Sequence, residues 1–423
     1  MTEVHGKGEK IGYYRWTICA LLFFGTTINY MDRQVLGILA PVLQNEIKWS
    51  ESEYGWIVTA FQAAYAIGLL LFGWLIDKYG TKIGYSISVT MWSLAAMAHA
   101  LVKTPLGFGA ARAGLGFSEA GNFPAAIKTI AEWFPKKERA LAIGIFNSGT
   151  NIGAVVTPAV VPWLTLTYGW QAAFIVTGSV GFLWLIFWIL LYEKPEQQKR
   201  LSTAELNYIL SDKQEASSEK IPWIQLLKYR QTWAFISGKF FTDPIWWFYL
   251  FWLPKFLNKM YGLTLTHLGL PLVTIYLMIS VGSIGGGWLS SLLIRRGVAV
   301  MRSRELVMFL CGICVLPIII ASQASNLWIA VGLIGLAAAA HQGFAANLYA
   351  LVSDLLPKKA VGSVTGLGGM AGSVSGMLFS ISAGYILEWT GSYISLFFIA
   401  APTYLIALGI IHVLTIKAPQ VDI

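Results

Sequence analysis

Apolar stretches long enough to cross a lipid bilayer recur along the whole chain, separated by short polar breaks. They lie near residues 15–43, 54–76, 83–103, 105–131, 139–163, 170–192, 231–257, 265–294, 304–322, 326–353, 361–387 and 391–416. A hydrocarbon core needs about 20 residues of helix. Inside it each backbone N–H and C=O must be satisfied by the protein, which leaves helices or a closed barrel. The runs lack the alternation of barrel strands, so the expected fold is an all-α membrane protein of twelve transmembrane helices. With 56% hydrophobic and only 12% charged residues, the chain cannot build a water-soluble surface, and a soluble metabolic enzyme is excluded. Most of the 42 glycines fall inside the runs, as suits helices that approach closely.

The net charge of +9 does not call for a nucleic-acid partner, because the basic residues are spread over alternate connections rather than gathered in one patch. Lys78 and Lys82, Lys136, Lys137 and Arg139, Lys194, Lys199 and Arg200, Arg295, Arg296, Arg302 and Arg304, and Lys358 and Lys359 mark connections expected to be cytoplasmic. The intervening loops carry few, with Lys48, Lys103 and Lys259 as exceptions. Both termini are therefore expected in the cytoplasm, in a cell inner membrane, with no removable signal peptide. Cys19, Cys311 and Cys314 sit inside apolar runs, and no metal or redox role is assigned to them.

The longest polar stretch divides the runs six and six. Residues 1–192 are expected to form one half, 193–228 a cytoplasmic linker and 229–423 the other half. In the linker, Ser202 and Glu205 have the spacing of a capping box opening a short surface helix. The halves repeat. Phe134-Pro135-Lys136-Lys137 matches Leu356-Pro357-Lys358-Lys359 at an offset of 222 residues, and Pro41 and Asn45 match Pro254 and Asn258 at an offset of 213. Equal numbers of spans make the repeats parallel, and a site is expected between them near mid-membrane.

Charges inside the runs are the functional candidates, since each costs on the order of 2.5–3.5 kcal/mol to insert. Asp32 and Arg33 are adjacent in the first run, and Arg112 and Glu119 stand in the fourth. An exchangeable network of these four is expected, the rival being a static cluster that merely holds helices together. Arg33 offers a planar, permanently charged fork suited to a carboxylate. In the second half Lys239 and Asp243 are spaced i, i+4 beside Pro244, which is expected to bend its helix. His341, Gln342 and Asn347 lie in the tenth run and are expected to line the site, with interhelical bonding as the alternative, and His341 falls where Glu119 stands in the repeat. Gln62, Tyr65, Asn147, Thr150 and Asn151 add polar groups able to meet hydroxyls, with interhelical bonding as the alternative for each amide.

Gly73-Trp74-Leu75-Ile76-Asp77-Lys78-Tyr79-Gly80-Thr81-Lys82 closes the second run and is similar to the loop signature of the major facilitator superfamily. Its Gly73, Asp77, Lys78, Gly80 and Lys82 are expected to form a conformational latch, the glycine allowing close helix contact. The chain also resembles the anion:cation symporters, and bacterial hexuronate transporters among them, through Asn29-Tyr30-Met31-Asp32-Arg33, Gly80-Thr81-Lys82-Ile83-Gly84-Tyr85, Glu132-Trp133-Phe134-Pro135, Phe146-Asn147 with Gly149, and Ala340-His341-Gln342.

That resemblance implies a symporter importing a hexuronate sugar acid, glucuronate or galacturonate, with protons. It assigns Arg33 to the substrate carboxylate, Tyr65 to the substrate, and Asp32 and Glu119 to the proton. Thr150 and Gly369 depart from the galactonate branch, which carries glutamine and asparagine there, and so argue against galactonate. The alternatives are another organic anion, such as galactonate or a sialic acid-like sugar, and a sensor that binds without transporting. No ATP-binding GxxxxGK[ST] loop is present, so an ion gradient is the expected driving force. No cofactor or metal is called for; the expected partners are the anionic sugar, protons and lipid, around a monomer.

Overall fold

Helices supply all the regular structure of the described residues, as a lipid solvent demands. The computed structural model describes residues 11–211, 223–356 and 358–416. The first half comprises α1 (Tyr14–Ile47), α2 (Glu51–Tyr79), α3 (Thr81–Ala98), α4 (Pro105–Glu119), α5 (Asn122–Trp133), α6 (Lys136–Tyr168) and α7 (Trp170–Leu191). Two short helices follow, α8 (Thr203–Leu210) and α9 (Trp223–Leu226). The second half comprises α10 (Arg230–Phe251), α11 (Leu253–Tyr261), α12 (Leu265–Arg295), α13 (Val300–Val315), α14 (Ile318–Ala321), α15 (Leu327–Leu355), α16 (Lys358–Thr390) and α17 (Ile394–Thr415). Because α4–α5, α10–α11 and α13–α14 each make one broken pass, these are twelve transmembrane passes in two six-pass halves. The linker cluster at 212–222 and the side chains of Lys136, Lys137, Lys358 and Lys359 lie outside the described residues.

Local sequence sets the boundaries. Ser50 and Glu53 form a full capping box at the start of α2, and Asn326 caps α15 by accepting from the backbone N–H of Trp328 and Ile329. Gly80 turns the chain from α2 to α3 at φ +85°, a conformation that disfavours any side chain. Helix α10 runs on through Pro244 and breaks at Trp252, ahead of Pro254. The break in this pass lies two turns after Pro244, where Pro254 takes the first turn of α11 and needs no hydrogen bond for its nitrogen. Eight helical stretches, counting Val300–Ala321 as one, are apolar and long enough by themselves to span a bilayer. The remaining passes include α1, α4–α5 and α10–α11, the three that carry the intramembrane charges.

Within the first half α1 packs on α6, α2 on α4 and α3 on α7; in the second, α10 packs on α16 and α17, and α12 on α15. The halves meet where α2 lies against α16 and α6 against α12. At the end distant from the termini they are in close contact. A Cβ on Gly55 of α2 would sit 2.8 Å from the Ser380 carbonyl oxygen, and one on Gly269 of α12 equally close to that of Pro158. There too Lys255 is ion-paired with Glu51, the Ser52 N–H donates to Glu388 (3.0 Å), and the Tyr54 hydroxyl donates to the Phe251 carbonyl (2.6 Å). On the same four helices toward the other end, Gly73, Gly144, Gly285 and Gly366 have open space where a Cβ would be. The two halves are closed at the distal end and splayed at the proximal one.

The linker holds fast to the first half. Ser202 accepts from the Glu205 N–H (3.2 Å), but Glu205 does not complete the expected box. Its buried carboxylate instead accepts from the backbone N–H of Tyr14 (3.2 Å) and Arg15 (3.1 Å) and pairs with the Arg15 side chain, which also pairs with Glu138. A negative charge on the free N–H groups of α1 complements that helix end more strongly than closure on its own short helix would. Glu205→Ala is expected to cost roughly 1–3 kcal/mol by leaving those donors and part of a buried guanidinium unpaired, read as a lowered unfolding midpoint of the purified protein.

Candidate functional site

Adjacent residues on a helix point about 100° apart, and this separates the first two candidates. Arg33 leaves α1 toward the boundary between the halves, where its Nε donates to Glu119 Oε2 of α4 at 2.9 Å. Both side chains are buried. Four rings surround the guanidinium, with centroids 4.6 Å away for Tyr30, 5.1 Å for Phe61, 4.9 Å for Tyr65 and 5.8 Å for Trp247. Three belong to the first half and Trp247, on α10, to the second. Such rings stabilise a desolvated cation by up to about 2 kcal/mol each while excluding water.

Asp32 takes the other direction. It is buried beside the Thr177 hydroxyl of α7, and no cation is ion-paired with its carboxylate among the described residues. Arg112 donates from Nη2 to the backbone carbonyl of Arg33 (3.1 Å), while its Nε and Nη1 have no partner there. The four charges do gather at one depth, but the direct ion pair is Arg33–Glu119; Asp32 and Arg112 stand beside it. Asp32 and Arg33 share one turn of α1 but meet different neighbours, Thr177 of α7 and Glu119 of α4.

Across the boundary, Lys239 Nζ lies 2.8 Å from Asp243 and donates to the Tyr349 hydroxyl at 3.1 Å. Glycines make room for this pair. Gly368, Gly372 and Gly376 of α16, four residues apart, face Phe235, Asp243 and Trp247 of α10, so that any Cβ at Gly372 would overlap the Asp243 carboxylate. Each cation site thus carries tyrosines, Tyr30 and Tyr65 beside Arg33 and Tyr349 beside Lys239. Tyr349 was not foreseen: a lone hydroxyl in an apolar run carries no charge or spacing signal.

Several candidates turn elsewhere. Asn347 spends its amide on the carbonyls of Gly286 (3.1 Å) and Gly343 (2.9 Å), linking α15 to α12. The Thr150 hydroxyl donates to the Asn147 carbonyl within α6 (2.8 Å), leaving the exposed Asn147 side chain as the freer group. His341 stacks on Trp246 and its Nδ1 meets the Tyr404 hydroxyl at 2.7 Å, while neighbouring Gln342 is half-buried. Gln62 accepts from Ser380 across the boundary (3.4 Å). In the loop signature, Gly73 lies on the splayed side, with open space where a Cβ would be. Asp77 pairs with Lys128 of α5 (3.0 Å), Lys82 with Glu193, and Lys78 lies over the Trp74 ring. These contacts tie the first half to itself and to the start of the linker.

The model of the Major Facilitator Superfamily matches residues 22–324. The chain belongs to that superfamily. It is 32% identical over 420 residues to the hexuronate transporter of Escherichia coli K12, covering 98% of this chain and 97% of that one. It is 34% identical over 287 residues to the galacturonate transporter of Dickeya chrysanthemi, covering 67% of this chain and 83% of that one. A crystal structure of a bacterial homologue of the human lysosomal transporter Spinster, inward-facing and occupied, superposes with a TM-score of 0.73 at 18% identity, over 97% of this chain and 96% of that one. This superfamily member is a multi-pass membrane transporter and not an enzyme. Its glycine-lined charge pair invites a direct check: Gly372→Val should push Asp243 off Lys239 and cost roughly 1–3 kcal/mol as overpacking does, seen as a lowered unfolding midpoint.

Proposed function

We propose that the chain is a proton-coupled symporter that imports a hexuronate such as glucuronate or galacturonate across a cell inner membrane, with both termini in the cytoplasm. The observation that carries this reading is the buried Arg33–Glu119 pair inside rings contributed by both halves. The hexuronate and galacturonate transporters to which the chain is similar support the substrate class. Residues 1–192 and 229–423 act as the two rocking bodies, tethered by 193–228, and the proximal opening is the cytoplasmic one.

In this scheme the substrate carboxylate takes the place of Glu119 on Arg33. An acid left buried without its cation is costly when charged, so Glu119 accepts a proton as the anion binds. Asp32, buried with the Thr177 hydroxyl beside it and no ion-paired cation among the described residues, is suited to hold a second proton within reach of the same charges. Lys239 with Tyr349, and Tyr65 with Asn147, offer donors to the sugar hydroxyls from opposite halves. Anion and proton thereby favour each other's binding, which is a coupling free energy between sites. The signature residues Asp77, Lys78, Gly80 and Lys82 hold α2, α3 and α5 as one unit while the halves move.

Purified protein in liposomes is expected to accumulate labelled glucuronate only under an inward proton gradient. Binding without uptake would favour a sensor. Arg33→Lys should weaken binding on the order of tenfold or more, since the planar fork is lost. Glu119→Gln should keep binding and exchange but lose gradient-driven accumulation. Equal, modest effects of both with accumulation intact would return the cluster to a static structural role.

A further inference from the structure

The distal closure contains a polar chamber of about 190 Å³, away from Arg33. Pockets for drug-sized ligands start near 300 Å³, so its scale is that of a small polar molecule. Asn45 and Asn258, which the 213-residue offset superposes, both line it, placing it on the axis that relates the halves. Lys255 and Lys259 contribute two ammonium groups and Glu51 one carboxylate, a net charge of +1. Lys255 is 4% exposed, pairs with Glu51 across the halves and lies over the Tyr54 ring at 4.5 Å. Gln44 donates to the other oxygen of Glu51 at 3.2 Å. Tyr393 also lines the chamber; it is 2% exposed and its hydroxyl has no hydrogen-bond partner among the described residues.

A buried hydroxyl without a partner is rare in a finished protein interior. Here it faces a chamber whose uncompensated charge is positive. We propose that this chamber is a separate carboxylate site on the external path, where Lys255, with Lys259 and the Tyr393 hydroxyl, receives the incoming sugar acid in place of Glu51. The inference rests on the sugar-acid reading above. One carboxylate replaces another on the same ammonium, and the displaced Glu51, whose side chain is 17% exposed, keeps its Gln44 donor. The exchange also removes the ion pair that joins α2 to α11, so an arriving anion loosens the closed end that stands between it and Arg33.

The test exploits the fact that Glu51→Gln and Lys255→Gln break the same closing pair. If the pair is only a fastening, both variants favour the outward-open form alike and shift the external KM for labelled glucuronate in the same direction. If Lys255 is the anion site, Lys255→Gln raises the external KM roughly tenfold, as loss of a charge-assisted contact does, while Glu51→Gln leaves it unchanged or lowers it. Lys255→Arg should restore most of the affinity. External KM is read in right-side-out membrane vesicles, and exchange from the cytoplasmic face in inside-out vesicles shows that each variant is folded. Parallel shifts of the two glutamine variants, with wild-type uptake normal, overturn this inference alone. A wild type that neither binds nor takes up glucuronate overturns the functional reading and this inference with it.

Discussion

The buried Arg33–Glu119 pair is the contact around which the first half is arranged. Two charges removed from water each cost several kcal/mol, and mutual attraction repays this only with close geometry and further partners. A 2.9 Å contact supplies the first and a shell of rings the second. Phe61 and Tyr65 come from α2, Tyr30 from one turn before Arg33 itself. For Glu119 to reach, α4 must lie almost on the backbone of α2, and Gly116 allows it: a Cβ there would overlap the Phe61 carbonyl. The helix then breaks just past Glu119, where Gly121 lets it pass Ser88 of α3. The small residues, the rings and the break are consequences of one ion pair.

The two halves share a fold but distribute charge differently, and the difference has mechanical meaning. Lys239 and Asp243 sit four residues apart on one helix, so their pairing survives any rigid movement of α10. Arg33 and Glu119 belong to different helices, so their pairing depends on how α1 and α4 sit and on what else reaches Arg33. An intrahelical pair presents a preset surface, whereas an interhelical pair can be exchanged. In the proposed scheme the coupling of anion to proton accordingly belongs to the first half, with the second supplying donors of fixed position.

Much of this was legible in the sequence, because membrane physics leaves few solutions. Twelve runs, parallel repeats and charges worth hypothesising about followed from length, composition and offset alone. Arg33 and Glu119 stood out because charge in lipid is costly, and cost is visible residue by residue. Direction was not visible. Asp32 and Arg33 looked like one unit and face apart, Asn347 looked like a lining amide and serves a helix contact, and Glu205 looked like a local cap and caps α1, nearly two hundred residues away. Tyr349 and Tyr393 carry no sequence signal at all, since a hydroxyl acquires meaning only from what lies opposite it in space.

The closed distal end owes its reversibility to the kind of contact it uses. Gly37, Gly55, Gly269 and Gly384 bring backbone against backbone, at distances of 2.6–2.8 Å from a Cβ position to the facing carbonyl oxygen. Such surfaces gain dispersion energy only while they touch and bury little apolar area that would resist separation in lipid. To them are added a few hydrogen bonds and the Glu51–Lys255 pair, all made by groups that water or an anion can satisfy equally well. Large rings also cross the boundary, Tyr54 against Trp252 at 4.9 Å and Phe61 against Phe251 at 6.1 Å, but the glycine contacts and replaceable polar bonds are what ligand binding can weigh in a transporter's closed and open forms. Small differences in ligand binding can then decide between them, which is the condition under which a gradient can be converted into directed transport.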